Sequence, residues 1–152
     1  MKRIITAMLL FVAFSFGTYA QKTNTIIKEV TNLLMLQKDA WNQGDLDKYM
    51  SYYWKSDSLR FMGKSGVTKG WQNTLDKYKK SFPDKETMGN LSFDNLQYES
   101  IDKDNIIVIG SWKLIRTKDN VGGYFSLLYL LLCSHYVFLK ELALLTNTLS
   151  LL

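Results

Sequence analysis

Apolar residues recur with a helical period from Ile26 to Phe82, with two interruptions, and beyond Pro83 the period becomes that of strands. Ile26, Ile27, Val30, Leu33, Leu34 and Trp41 fall on one arc, which predicts a first helix from Asn24 or Thr25 to Gln43. Met35 and Leu36 lie off that arc, placed to meet a second element or a partner chain. Gly44 suits the left-handed conformation that ends a helix, and Asp45 carries the side-chain acceptor that starts the next one. Leu46, Tyr49, Met50, Tyr53 and Trp54 follow the spacing i, i+3, i+4, i+7, i+8, predicting a second helix that runs to about Trp54.

Ser56-Asp57 reads as a turn. Leu59 to Met62 is a short strand, 63–66 a turn, and Val67-Thr68-Lys69 pairs back on it. Gly70 leads into a third helix, whose Trp71, Leu75, Tyr78 and Phe82 share a narrow arc while Lys77, Lys79 and Lys80 face away. Pro83 stops it. Met88 to Ile101 is a strand with Leu91 and Phe93 on one face. Leu96 and Tyr98 continue with the phase shifted by one, so a bulge falls near Asn95. After a turn at 102–105, Ile106 to Thr117 is a long strand with a bend at Gly110. Lys118 to Gly123 reads as a loop, and Tyr124 to Leu128 begins another strand. Long bulged antiparallel strands curve strongly, and three amphipathic helices close the concave side. The expected fold class is α+β: a cone with an apolar interior.

The ends differ from this middle. Lys2 and Arg3 precede an apolar run from Ile4 to Phe16, and Ala20 precedes Gln21, the arrangement of a cleaved signal peptide over residues 1–20. The run is short for a membrane span. Export places the mature chain in the periplasm or outside the cell. At the other end, ten of the 24 residues from Tyr129 onward are Leu, and alternation ceases.

Composition narrows the function classes. Apolar residues make up 47% of the 152 and charged residues 22%, which indicates a globular chain with a core. The formal charge of +5 includes Lys2 and Arg3, and without them 17 basic residues face 14 acidic ones. The lysines form no stripe interleaved with stacking aromatics, so no nucleic-acid partner is expected. Cys133 is the sole cysteine and excludes an intrachain disulfide. His135, the sole histidine, is two residues away, a spacing that does not make a catalytic dyad. No metal constellation, phosphate loop or nucleophile motif is present, and no cofactor is expected. The aromatics are numerous: Trp41, Tyr53, Trp54, Phe61, Trp71 and Trp112 are the candidate lining of a pocket for a flat apolar ligand, against the plainer reading of each as core. Arg60, between Leu59 and Phe61, points either into the cone or to solvent.

The stretch AWNQGDLDKYMSYYWKSDSLRFMGKSGVTKGWQNTLDKYKKSFPD resembles the SnoaL-like, ketosteroid-isomerase-like branch of the nuclear transport factor 2-like superfamily. The likeness runs from Ile27 to Leu128 and is sharpest in WNQGDLDKY, in LRFMGKSGVTKGW, and in the strand ending before GGYFSLL. The resemblance implies a cone-shaped fold over 21–128, a homodimer through the sheet, and a pocket inside the cone. It does not carry catalysis. The position of the steroid isomerases' proton-moving carboxylate falls at Phe61 or Met62, neither of which accepts a proton. Their oxyanion hole has no assigned counterpart; Tyr53, Asp94 and Glu99 are candidate polar groups, against the plainer reading of each as surface or structural. The catalytic residues are therefore unknown, and a non-catalytic binding or dimerisation module is the alternative.

Residues 129–152 depart from the family, which continues with charged strands and a Gly-x-Trp turn. A frameshifted product is the preferred explanation, because the likeness stops abruptly at Leu128. A membrane segment is the other: Val121 to Leu139 is 19 residues without a charge. Either way the last strands are expected to be missing or replaced.

Overall fold

The computed structural model describes residues 24–63, 66–102, 104–132 and 135–141, with backbone alone from 131 to 141. Helix α1 spans 24–43. It buries Val30 and Leu34 fully and Trp41 nearly so, on the predicted arc, with Ala40 buried beside them. Met35, off that arc, is half-buried against the core, and Leu36 is exposed. Gly44 takes φ +82°, its N–H donating to the Trp41 carbonyl at 2.8 Å. The Asp45 carboxylate then accepts from the Lys48 N–H at 2.8 Å and starts α2, Leu46–Ser51.

Helix α2 ends three residues before Trp54, and the reason is local. A continued helix needs the Met50 carbonyl for the Trp54 N–H. That carbonyl already accepts from the Tyr53 N–H at 3.0 Å and from the Trp71 indole Nε1 at 2.7 Å. Strands β1 (Arg60–Gly63) and β2 (Gly66–Lys69) form the expected hairpin, followed by α3, Trp71–Ser81.

A short helix not foreseen in the sequence follows, α4 (Lys85–Met88). Its start is a reciprocal cap. The Asp84 carboxylate accepts from the Thr87 N–H at 2.9 Å, and the Thr87 hydroxyl lies 3.4 Å from the Asp84 N–H. These bonds from Thr87 hold the Asp84 carboxyl below its ordinary pKa.

The sheet continues with β3 (Asn90–Ser100), β4 (Asn105–Ile115), β5 (Asn120–Leu132) and β6 (His135–Glu141). Its order is β2-β1-β6-β5-β4-β3. All neighbours are antiparallel except β1 and β6, where Arg60 faces Lys140 and Phe61 faces Glu141 in a parallel pair. The predicted bulge is present: the β3–β4 register shifts between Asp94 and Gln97, and Asn95 has φ 55°.

Strand β5 starts four residues earlier than the Gly-Gly pair suggested. Gly122 passes so close to β4 that a Cβ would lie 2.7 Å from the Trp112 carbonyl, so this glycine serves a tight strand contact, not a loop. Of the two expectations for the last strands, the structure shows replacement. Leu130, Leu131 and Leu132 complete β5, and 135–141 form β6, which pairs the edge of β5 and carries the sheet past Leu128 to Glu141. No helix among the described residues is long and apolar enough to cross a membrane. The signal segment 1–20, Cys133 and the chain beyond Glu141 lie outside the described residues, and of His135 only the backbone is described. The fold is α+β, with helices followed by a curved open sheet, and the core fills the concave side.

Candidate functional site

Alternation on the central strands decides what faces the helices. Ile106, Val108 and Leu114 of β4 are buried, as are Phe125, Leu127 and Tyr129 of β5. Their neighbours point to the outer face. On the helical side Trp41 meets its neighbours edge-on, 5.0 Å from Tyr49 and 4.9 Å from Phe82, centroid to centroid, while Tyr49 lies tilted 5.5 Å from Tyr78. The Trp41 indole is fixed by donation from Nε1 to the Met88 carbonyl at 3.2 Å.

Between these rings and the sheet lies a cavity of about 630 Å³. Its far wall is Leu91, Phe93, Trp112, Leu114, Phe125 and Leu127, and β1 contributes Phe61 and Met62. The volume is that of a ligand pocket rather than a packing defect, which in a natural core is of the order of a water molecule. Exposed Lys77 and Ser81 stand among the lining residues and mark the rim.

Four of the six sequence-predicted residues are brought together here: Trp41, Tyr53, Phe61 and Trp112. The other two are not. Trp54 lies beyond the end of α2 and does not line the cavity. Trp71 turns its indole to the Met50 carbonyl, and the Lys55 ammonium sits 5.0 Å from its ring centroid. Arg60 donates to the carbonyls of Asp57 and Leu59 at 3.1 and 3.0 Å and takes no part in the lining.

The polar content of the site is small. Tyr53 is buried, its hydroxyl 3.3 Å from that of Tyr49. Asp94 and Glu99 are exposed and do not line the cavity. The Thr74 hydroxyl is committed to the Gly70 carbonyl at 2.8 Å. Lys77 Nζ is 3.2 Å from the Thr68 hydroxyl. Phe61 and Met62 both face the cavity, where a carboxylate would be needed for proton abstraction, and the described lining holds neither carboxylate nor imidazole.

Gln37 was missed. It lines the cavity at 1% exposure, and its Nε2 has no hydrogen-bond partner among the described residues. Its position was legible: it falls three residues after Leu34 and four before Trp41, on the apolar arc of α1. A polar residue on such an arc is the signal that hydropathy alone discards.

Among solved structures, the chain is similar to an NTF2-like protein of unknown function from Shewanella oneidensis MR-1, with 35% identity over 76% of this chain and 95% of that one, at a TM-score of 0.72. It shares its fold with a type 2 hexachlorocyclohexane dehydrochlorinase, LinA (15% identity, 80% and 86% covered, TM-score 0.66). It also shares it with an NTF2-like superfamily protein from Salmonella enterica serovar Typhimurium LT2 (14% identity, 78% and 89% covered, TM-score 0.64). No family model matches the chain, and no curated protein does. The Shewanella likeness spans nearly all of that protein at over a third identity: the chain belongs to the NTF2-like family.

Proposed function

We propose that this protein is an exported NTF2-like domain of the SnoaL-like, ketosteroid-isomerase-like branch, and that it binds a small apolar or aromatic molecule inside the cone. The observation that carries the reading is the cavity of about 630 Å³ walled by aromatic and aliphatic side chains from both layers. A cavity so lined gains from excluding water from a ring-shaped guest, at roughly 25 cal/mol for each Å² of apolar surface covered. The basic and apolar leader over Met1–Ala20 supports export to the periplasm or beyond.

Two of the four tryptophans, Trp41 and Trp112, line the cavity. Titration of the purified protein with 2-isopropenylnaphthalene, followed by tryptophan emission, is expected to saturate at one probe per chain. A linear, unsaturable change up to the probe's solubility limit would overturn the reading.

A second reading, a dimerisation module without chemistry, is favoured by one observation. The face of the sheet opposite the cavity exposes Ile115 at 51% and Tyr124 at 55%. A second copy of the chain on that face leaves the cavity free, so the two readings are compatible.

A further inference from the structure

Lys77 is the one charged residue in the described lining of the cavity, and it stands at the mouth. We infer that the ligand is an amphipathic organic acid, its ring held inside the cone and its carboxylate at the mouth beside the Lys77 ammonium. This deepens the proposed ligand binding and rests on it.

The period of α3 assigns Lys77, Lys79 and Lys80 to one outward face, yet of the three only Lys77 lines the cavity. Lys79 turns to Asp47 of α2, its Nζ 2.8 Å from the carboxylate. Lys77 Nζ donates instead to the Thr68 hydroxyl of β2 at 3.2 Å. Thr68 stands opposite Phe61 across the hairpin, and side chains so paired share one face of the sheet. Phe61 lines the cavity, so this bond holds the ammonium on the cavity side of the hairpin. Thr68 is neutral, and the bond places the charge without cancelling it. Ser81, one helical turn on from Lys77, puts a hydroxyl on the same rim.

Desolvation orients the guest. A carboxylate carried in among the aromatic and aliphatic walls would lose its hydration with no cation to replace it. At the mouth it keeps water and meets the ammonium. The apolar body has the opposite preference and goes where the rings exclude water. A cationic guest would meet a like charge at the mouth, with no carboxylate in the described lining to offset it.

The test compares two probes of the same shape and different charge. 4-(2-Naphthyl)butanoate is an anion at neutral pH, and its primary amide is not. Partition from water favours the amide, so a preference for the acid reports a cation at the site. In equilibrium dialysis at low salt, the wild-type protein is expected to bind the acid about 2–5-fold more tightly, the range of an exposed ion pair. In about 1 M sodium chloride the two affinities are expected to converge, because screening then acts over roughly 3 Å. Lys77→Gln is expected to abolish the preference and Lys77→Glu to reverse it, both with amide binding kept. Lys80→Gln removes the same charge from the same helix outside the lining, and is expected to keep the preference.

If the wild type binds both probes saturably and the acid no more tightly than the amide, the role of Lys77 falls and the cavity reading stands. If Lys77→Gln and Lys77→Glu retain the acid preference, another cation provides it and the inference falls in the same way. If Lys80→Gln loses as much as Lys77→Gln, net charge rather than the mouth selects the acid, and the inference again falls. If neither of these probes nor 2-isopropenylnaphthalene saturates, the cavity reading falls and takes Lys77 with it.

Discussion

At position 110 a side chain has nowhere to go. A Cβ there would lie 2.7 Å from Leu96 Cδ2, 2.9 Å from Phe125 Cζ and 3.2 Å from the Asp94 carbonyl. The bulge at Asn95 shifts Leu96 to the buried side of the sheet, and the bare backbone of Gly110 receives it. The sequence marked Gly110 as a bend but not as this contact, because spacing within one strand says nothing about what crosses from the next. Gly110→Val is expected to destabilise the fold by about 1–3 kcal/mol, as overpacked cores do, read from urea unfolding at constant slope. A change under about 0.5 kcal/mol, the level of an ordinary surface substitution, would show that the bulge relaxes around the valine. The same limit explains Trp54. Its periodicity was correct for a helix, but Tyr53 and Trp71 claim the carbonyl that the next turn needs.

Elements are held to one another by a few side chains that substitute for backbone. Strand β3 is an edge of the sheet. Near its start Asn42, from the end of α1, accepts the Leu91 N–H at 2.7 Å and donates to the Leu91 carbonyl at 3.0 Å. One amide thus satisfies both outward backbone groups of Leu91, as a neighbouring strand would, and occupies the edge at that one residue. It also sets the distance between α1, which carries Gln37 and Trp41, and β3, which carries Leu91 and Phe93, four residues of the cavity wall. Asn42→Ala is expected to cost about 1–3 kcal/mol by leaving both groups of Leu91 unpaired, and to weaken probe binding as α1 loosens. Unchanged stability in urea would show that water serves Leu91 equally well. Period alone made α1, α3, β3 and β4 legible. Helix α4 was too short to have a period, and its capping pair, Asp84 and Thr87, was the only trace of it. The cavity wall was legible where apolar arcs coincided and illegible at Gln37, where hydropathy opposes position.

For the whole molecule the open question is what covers the outer face of the sheet. The cone was legible because β3 changes phase at a bulge and a second long apolar strand, bent at Gly110, follows it. Strand β6 was not legible, since alternation stops near Tyr129 and only its pairing with β5 and β1 defines it. That pairing leaves β2 and β3 as the sheet's two edges. The remaining apolar surface is therefore a face, not an edge. Ile107 pairs with Leu128 and Ile109 with Ser126 across the outer side of β4 and β5, with Tyr124 and Ile115 exposed beyond them. Two such faces meeting about a twofold axis would bury the same patch on each copy. We therefore expect the purified protein to sediment as a dimer, and Ile109→Lys with Tyr124→Lys to shift it to monomer, because two ammonium groups per face would be desolvated opposite their counterparts. Neither residue lines the cavity, so the doubly substituted protein should bind 2-isopropenylnaphthalene with wild-type affinity. A wild-type monomer at all concentrations, or a variant that remains dimeric, would remove the sheet face from the assembly. A monomeric variant that no longer binds the probe would instead show that the second copy holds the cone in shape, which would tie the two readings of this protein into one.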